Sequence, residues 1–104
     1  MTPGTRKKVA TIWDMLVEIA QHSGGPITYT QIANKVGGLP RGVGRLLGPI
    51  QDFCLANSAP PLTSLVVRKN GKNPGDGYIP RGDLFASQEN ARNFNWAKFQ
   101  NPFG

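Results

Sequence analysis

Residues 27–48 predict a small α+β fold built on a winged helix-turn-helix. This stretch has a short extended segment (27–29), a helix, a Gly-Gly-Leu-Pro turn and a second helix that carries two arginines, which is the layout of a helix-turn-helix. Downstream, a β-branched run at 62–68 and the turn signal Asn70-Gly71 predict a hairpin that would serve as the wing. With 104 residues and 38% hydrophobic content, the chain suffices for one domain with a modest core.

An N-terminal helix precedes this motif. Thr5 is its expected N-cap, and the helix is predicted to run through about Gln21. Its apolar residues recur at three- and four-residue spacing, which is the period of an amphipathic helix. They are Val9, Ile12, Trp13, Leu16, Val17, Ile19 and Ala20. The sequence Ser-Gly-Gly-Pro at 23–26 then ends the helix, because glycine accepts a positive φ and proline cannot continue it.

The two helices of the central motif are predicted at 31–36 and from Pro40 to about residue 55. Thr30 is the expected N-cap of the first helix. Pro40 stands near the first position of the second helix, where a proline costs little. The pair Gly48-Pro49 predicts a kink or a break in this helix, since proline lacks the backbone N–H. The sequence Asn-Ser-Ala-Pro-Pro at 57–61 predicts its end.

The next segment predicts a basic wing hairpin. Residues 62–68 are the strongest strand pattern of the chain, and Tyr78-Ile79 would return as a brief second strand. Residues 1–80 therefore form the predicted winged helix-turn-helix domain, with its motif core at 26–79.

An aromatic tail, residues 81–104, completes the chain. Its pattern predicts a helix from about Gln88 to Phe99, with Ser87 as the cap. The residues expected to pack are Ala91, Phe94, Trp96 and Phe99. We expect the tail to pack on the winged domain or on a partner, because aromatic side chains left exposed as a patch mark an interface.

The charge of the chain is strongly positive and unevenly distributed. The net charge is +6, with 12 Lys and Arg against 6 Asp and Glu. Residues 26–75 hold six of these cations but only one acid, Asp52, a balance of +5. Such a concentration of charge is typical of a surface that binds a polyanion such as nucleic acid. A solvated basic surface without a partner is the alternative.

The sequence lacks the patterns of other functional classes. A single cysteine, Cys54, and a single histidine, His22, exclude an internal disulfide and a Cys/His zinc site. The six carboxylates show no metal-ligand or acid/base spacing, so we expect no enzyme activity and no cofactor. No apolar run reaches the roughly 20 residues of a membrane span, and no apolar signal core follows the basic N-terminus. A cytoplasmic protein without membrane association is expected.

Arg41 and Arg45 are the strongest candidates for nucleic-acid contacts. They lie four residues apart and therefore share one face of a helix. Arginine bonds guanine bidentately in the major groove, or clamps a phosphate. The same helix holds Gly42, Gly44 and Gly48, each of which costs roughly 1 kcal/mol relative to alanine. Close approach to a nucleic-acid backbone, with Gly42 at the contact, and tight packing against another helix are both open explanations.

Phosphate contacts are expected from two further places. The first is the start of the first motif helix, where free backbone N–H groups bind phosphate oxygens and where Tyr29, Thr30 and Gln31 stand. The alternative is that Thr30 is simply a cap and that Tyr29 is half-buried. The second is the wing, for which a solvated hairpin tip is the alternative. The expected wing contacts are Arg68, Lys69, Asn70 and Lys72.

Four segments resemble the DNA-binding domain of alkylguanine-DNA alkyltransferases and alkyltransferase-like proteins. Residues 28–33 resemble the Thr-Tyr-Gly-x-Ile-Ala helix start of that family, and residues 41–44 resemble its Arg-Ala-Val-Gly recognition helix. Residues 62–67 fall where the Pro-Cys-His-Arg-Val-Val strand belongs, and residues 70–78 resemble the Gly-rich closing loop. The similarity covers about residues 26–79.

The resemblance implies DNA binding without alkyl transfer. It implies that Tyr29 contacts the DNA backbone and that Arg41 lies at the DNA, where the family's arginine intrudes into the duplex. When the sequences are aligned on Val66-Val67, the alkyl-accepting cysteine is replaced by Thr63 and the neighbouring histidine by Ser64. Alkyl transfer needs an activated thiolate, so the chain is not expected to perform it.

The sequence therefore predicts a non-enzymatic protein that binds double-stranded DNA. Its recognition helix spans about 40–55, and the wing adds phosphate contacts. The sequence leaves RNA as a competing ligand open. A small regulator, or a phage or mobile-element defence or counter-defence factor, suits a binder of this size. The alternative is a protein-protein interaction module, in which the helix-turn-helix is a scaffold and residues 81–104 bind a protein partner or a second copy.

Overall fold

The structure is a computed structural model that describes residues 2–22, 26–67 and 84–104. In chain order the described elements are α1 (Pro3–Gln21), β1 (Ile27–Thr28), α2 (Tyr29–Val36), α3 (Pro40–Ala56), a first 3₁₀ helix (Leu62–Leu65), β2 (Val66–Val67), α4 (Leu84–Asn93) and a second 3₁₀ helix (Trp96–Lys98). This part of the chain is a compact, helix-rich domain with a two-stranded sheet, which is compatible with the predicted α+β class.

Helix α1 is the scaffold against which α2, α3, α4 and the first 3₁₀ helix pack. Its N-cap is Thr2, whose hydroxyl accepts a hydrogen bond from the backbone N–H of Thr5 at 3.2 Å. The prediction of Thr5 as the cap is wrong, because Pro3 is tolerated at a first helical position and lets the helix start earlier. The predicted apolar stripe is the buried face: Val9, Ile12, Trp13, Leu16 and Ala20.

Helix α2 begins with a capping box. The side chain of Thr28 accepts a hydrogen bond from the backbone N–H of Gln31 at 3.1 Å, and Oε1 of Gln31 accepts one from the backbone N–H of Thr28 at 2.9 Å. The helix therefore starts at Tyr29, and Thr30 lies inside it. The prediction of Thr30 as the N-cap is wrong, because the reciprocal pair satisfies the end of the helix two residues earlier.

A three-residue turn joins α2 to α3, as the Gly-Gly-Leu-Pro sequence predicted. Gly37 and Gly38 have φ values of +85° and +105°, which residues with a side chain rarely adopt. The N–H of Gly37 donates to the carbonyl of Ala33 at 2.7 Å and closes α2. Pro40 then occupies the first turn of α3, as expected.

Helix α3 continues through Pro49 to Ala56, so the break considered at this point is absent. Proline removes one backbone hydrogen bond, but the inner face of α3 is buried on both sides of it. This buried face consists of Val43, Leu47, Ile50, Gln51 and Cys54. The burial of both halves against the same core explains why the helix remains one element.

The strand expected at 62–68 is wrong over most of its length. Residues Leu62–Leu65 form a 3₁₀ helix, and only Val66–Val67 is extended. Leu62 and Leu65 are both fully buried. A 3₁₀ helix has three residues per turn and brings these leucines to one side, whereas a strand would place them on opposite faces.

The polar residues of this 3₁₀ helix are buried between α3 and α4. The hydroxyl of Thr63 donates to Oε1 of Gln51, and Nε2 of Gln88 donates to the carbonyl of Ser64 at 2.9 Å. Buried polar groups require such partners, so these contacts help to hold the segment in place.

The sheet consists of β1 and β2, which pair in parallel with Ile27 opposite Val66 and Thr28 opposite Val67. This pairing places the N-cap of α2 beside the end of β2. The remainder of the predicted wing, 68–80, lies outside the described residues.

The tail forms α4 and a second 3₁₀ helix instead of the single helix expected at 88–99. Trp96 is buried, its Nε1 donates to the carbonyl of Ala91 at 2.7 Å, and its ring meets Trp13 edge-on at 5.7 Å. The side chain of Asn101 donates to the carbonyl of Ala10 on α1 at 2.9 Å. The chain leaves the helix after Asn93 because these contacts require a change of direction.

Candidate nucleic-acid interface

The outward face of α3 begins with two exposed arginines, Arg41 and Arg45. They lie in the first two turns of the helix, directly after the turn at 37–39, and share one face as predicted. The opposite face at this level is buried through Val43 and Leu47. The packing of α3 therefore turns both guanidinium groups toward solvent.

Neither arginine has a carboxylate partner in the part of the chain that the structure describes. Between Glu18 and Asp52 the sequence contains no acid. Asp52 is exposed on the arginine-bearing face, but it lies seven residues after Arg45, or about 10 Å along the helix. Positive charge is thus concentrated on the N-terminal half of α3.

The glycines of α3 do not serve tight packing against another helix. A Cβ built at Gly42, Gly44 or Gly48 would have no heavy atom of another described element within 4 Å. One of the two explanations left open by the sequence is thereby removed for the described residues. Gly42 is exposed, whereas Gly44 and Gly48 are half-buried, and α3 carries no side chain at these three positions.

The residues expected at the start of α2 are only partly available. Tyr29 is half-buried and packs against the core, as the alternative reading expected, and Thr30 is also half-buried. Gln31 is exposed, but its side-chain oxygen accepts hydrogen bonds within the capping box. Its amide nitrogen is the group with donors suited to a phosphate.

The wing residues of the predicted site lie outside the described residues. They are Arg68, Lys69, Asn70 and Lys72. The described site therefore consists of the first half of α3, the turn and the start of α2.

Two basic hollows beside α1 were not expected from the sequence. A channel of about 400 Å³ runs between α1 and α2, and a groove of about 250 Å³ lies between α1, the turn and α3. Lys7, Lys8 and Lys35 line the channel, and Lys8 and Arg45 line the groove. The basic run at 6–8 was visible in the sequence, but only the packing of α1 places it beside the turn.

A larger hollow of about 460 Å³ lies elsewhere, between α4 and the segment that follows α3. Its lining is neutral and includes Ser58, Pro60, Pro61, Asn90 and Phe94. It therefore lacks the charge that a polyanion site requires.

Thr63 and Ser64, which the resemblance aligns with the alkyl-accepting cysteine and its neighbouring histidine, are buried. Thr63 is 1% exposed and Ser64 is 0% exposed. The Thr63 hydroxyl is also engaged with Gln51. Neither side chain presents a surface to DNA in this conformation.

No family model, curated protein or solved structure matches the chain. Within the described residues, no three or more His, Cys, Asp or Glu side chains come together in a way that would hold a metal ion. Among the described helices, none combines the length and the apolar character needed to span a membrane.

Proposed function

We propose that the chain is a non-enzymatic DNA-binding protein of the winged helix-turn-helix class. The N-terminal half of α3 docks on double-stranded DNA. The observation that carries the proposal is the exposed pair Arg41 and Arg45, without carboxylate partners in the described part of the chain and directly after a three-residue turn. Helix-turn-helix motifs use such turns and present the first residues of their second helix to the DNA.

The charge pattern of α3 limits the contact to its first half. Arg41 and Arg45 reach guanine edges or phosphates, because a guanidinium offers a planar set of donors. Asp52, about two turns beyond Arg45, repels a phosphate and marks where the helix leaves the DNA. Arg68, Lys69, Asn70 and Lys72, which lie outside the described residues, are expected from the sequence to add phosphate contacts.

The bare glycines of α3 support a close approach. Each costs roughly 1 kcal/mol in a helix interior, and for Gly42 and Gly44 no packing in the described residues offsets this cost. Contact between the helix backbone and the sugar-phosphate backbone of DNA offsets it in the complex. Replacement of these glycines by alanine should therefore stabilise the free protein and weaken its binding to DNA.

The protein-interaction alternative receives less support because the aromatic residues of the tail are used inside the molecule. Trp96 is buried, and Phe94 and Phe99 pack against the core. Phe99 also meets Phe53 of α3 edge-on at 5.1 Å. Little of the predicted aromatic patch is left to bind a partner.

The proposal is tested by fluorescence anisotropy with a labelled random-sequence duplex in a salt series. About 20 base pairs suffice, because the longest dimension of the protein, 31 Å, covers roughly nine base pairs at about 3.4 Å each. We expect the wild type to bind with a steep salt dependence. The double variant Arg41→Ala/Arg45→Ala should make the negative slope of log K against log salt shallower by about 1.8, or roughly 0.9 per lost phosphate contact.

The matched control is Lys98→Ala, which removes an exposed charge from the tail. This variant should bind like the wild type. Absence of binding by the wild type at low salt would overturn the proposal, and binding that is unchanged in the double variant would overturn the assignment of α3.

A further inference from the structure

We infer that α1 supplies a second line of DNA phosphate contacts, in which Lys7 and Lys8 act together with Lys35 of α2. This inference rests on the proposed function and extends its site to residues that carried no assignment. Its basis is the channel between α1 and α2 and the continuity of this channel with the arginine-bearing face of α3.

The channel brings three ammonium-bearing side chains together from two helices. Lys7 and Lys8 stand on the side of α1 that also bears Gly4 and Thr11, and this side faces Lys35 at the end of α2. All three lysines are exposed, and no carboxylate contributes to the channel lining. A hollow of about 400 Å³ with this lining suits an anionic group.

The described residues provide no counter-charge for these three lysines. In the described part of the chain none of the lysines has a carboxylate partner. The neighbouring Arg6 differs, because its guanidinium donates to the carbonyl of Pro102 at 3.0 Å and ties the tail to α1. The three lysines are therefore available to an anionic partner.

The acids of α1 lie too far along the helix to neutralise the channel. Asp14 follows Lys8 by six residues, or about 9 Å, and its carboxylate accepts a hydrogen bond from Asn101 at 3.0 Å. Glu18 lies a further turn away. The basic character of the channel is thus confined to the N-terminal part of α1, which is the part beside the turn.

Lys8 connects the channel to the proposed recognition helix. It lines the channel and also the groove that contains Arg45 and the turn at 37–39. The cations therefore form one continuous path from Lys7 and Lys35, through Lys8, to Arg45. A DNA strand that follows this path while α3 docks would meet all of them.

The two halves of this path differ in chemistry. A lysine ammonium is a compact point charge that attracts any phosphate, whereas an arginine guanidinium matches the geometry of a base edge. The lysines therefore position the DNA without reading its sequence. Their loss should weaken binding to all duplexes equally.

The first experiment measures salt dependence with the triple variant Lys7→Gln/Lys8→Gln/Lys35→Gln on the same random-sequence duplex. Glutamine is close to lysine in helix propensity. We expect the negative slope of log K against log salt to become shallower by about 2.7, at roughly 0.9 per contact. The single variants Lys8→Gln and Lys98→Gln form a matched pair, because each removes one exposed lysine. Only Lys8→Gln should make the negative slope shallower.

The second experiment maps the contact on the wild-type protein without any substitution. Lysine acetylation followed by mass spectrometry, with and without the duplex, should show protection of Lys7, Lys8 and Lys35. Lys98 lies in the tail, and its ammonium is 5.3 Å from the ring centre of Phe94. It should be modified equally in both samples.

The outcomes separate this inference from the proposed function. Wild-type binding with an unchanged slope in the triple variant and unprotected lysines would overturn the inference and leave the role of α3 intact. A wild type that fails to bind DNA at low salt would overturn the proposed function and the inference together. A shallower salt dependence in the triple variant, together with protection of the three lysines, supports both.

Discussion

Two regions of the molecule use their charged and aromatic residues in opposite ways. The basic face consists of Lys7, Lys8, Lys35, Arg41 and Arg45. The aromatic end consists of Trp13, Phe53, Phe94, Trp96, Phe99 and Phe103. On the basic face no cation has a carboxylate partner among the described residues. At the aromatic end, rings contact rings, and the cations have partners too.

The two cations near the aromatic end contact other groups of the same chain. Arg92 forms an ion pair with Glu89 at 3.2 Å, and the ammonium of Lys98 lies over the rings of Phe94 and Phe99. These side chains contribute to the fold, although pairs near the surface each contribute little. The aromatic end therefore stabilises the domain, whereas the cations of the basic face are exposed and without ion pairs among the described residues.

The largest expected effect is at Trp96. Trp96→Ala should lower the free energy of unfolding by about 3–5 kcal/mol, because it opens a cavity beside Trp13 and removes the hydrogen bond to Ala91. Urea denaturation measures this loss. If the alanine variant does not fold, Trp96→Phe keeps a ring and should show a smaller loss. A wild-type midpoint in Trp96→Ala would contradict the structural role of the aromatic end.

A smaller effect is expected at the cap of α2, on the side of the basic face. Thr28→Ala should lower the free energy of unfolding by about 1 kcal/mol, because the capping box is lost. Thr30→Ala is the matched control, since Thr30 lies inside the helix and should cost less. Thermal or urea unfolding of the pair measures the difference. A larger loss at Thr30 would restore the cap that the sequence predicted.

A substitution in α3 is expected to raise the free energy of unfolding rather than lower it. Gly42→Ala should raise the free energy of unfolding by about 0.5–1 kcal/mol, because alanine is the better helix former and the added Cβ meets no neighbour in the described residues. The same variant should weaken DNA binding if the helix approaches the duplex closely. Urea denaturation and anisotropy on one protein preparation measure both. Destabilisation would indicate that the position is packed after all.

The smallest effect on stability is expected from the lysines of the basic face. Lys7→Gln/Lys8→Gln/Lys35→Gln should keep the free energy of unfolding within about 0.5 kcal/mol of the wild type, because these exposed side chains make no ion pair in the described part of the chain. Denaturation at low and high salt checks this. A loss above about 1 kcal/mol would show that the basic face also supports the fold.

Much of the helical layout was predictable because its signals are local. The apolar period of α1, the two glycines of the turn and Pro40 at the start of α3 act within a few residues of the chain. The exposed pair Arg41 and Arg45 followed from helical spacing alone. These are the parts of the site that the sequence identified.

The errors fall where distant contacts override local preference. The β-branched pattern at 62–68 predicts a strand, but burial of Leu62 and Leu65 on one side favours a 3₁₀ helix. The expected helix at 88–99 ends early, because Trp96 turns into the core. Helix α3 passes through Pro49, because both of its halves pack against the same core. In each case tertiary packing outweighs a local preference. This preference is worth about 1 kcal/mol for residue propensity and a few kcal/mol for a proline inside a helix.

The short turn between two helices, the arginine pair and the excess of positive charge could be read from the chain, because they depend on residues close together in it. Which basic residues share a surface depends on the packing of distant elements. Lys7 and Lys8 are 28 and 27 positions from Lys35 in the sequence, and the packing of α1 on α2 brings them to one channel. The physical reason is that apolar burial fixes how the helices pack, and this packing sets where the charged side chains meet.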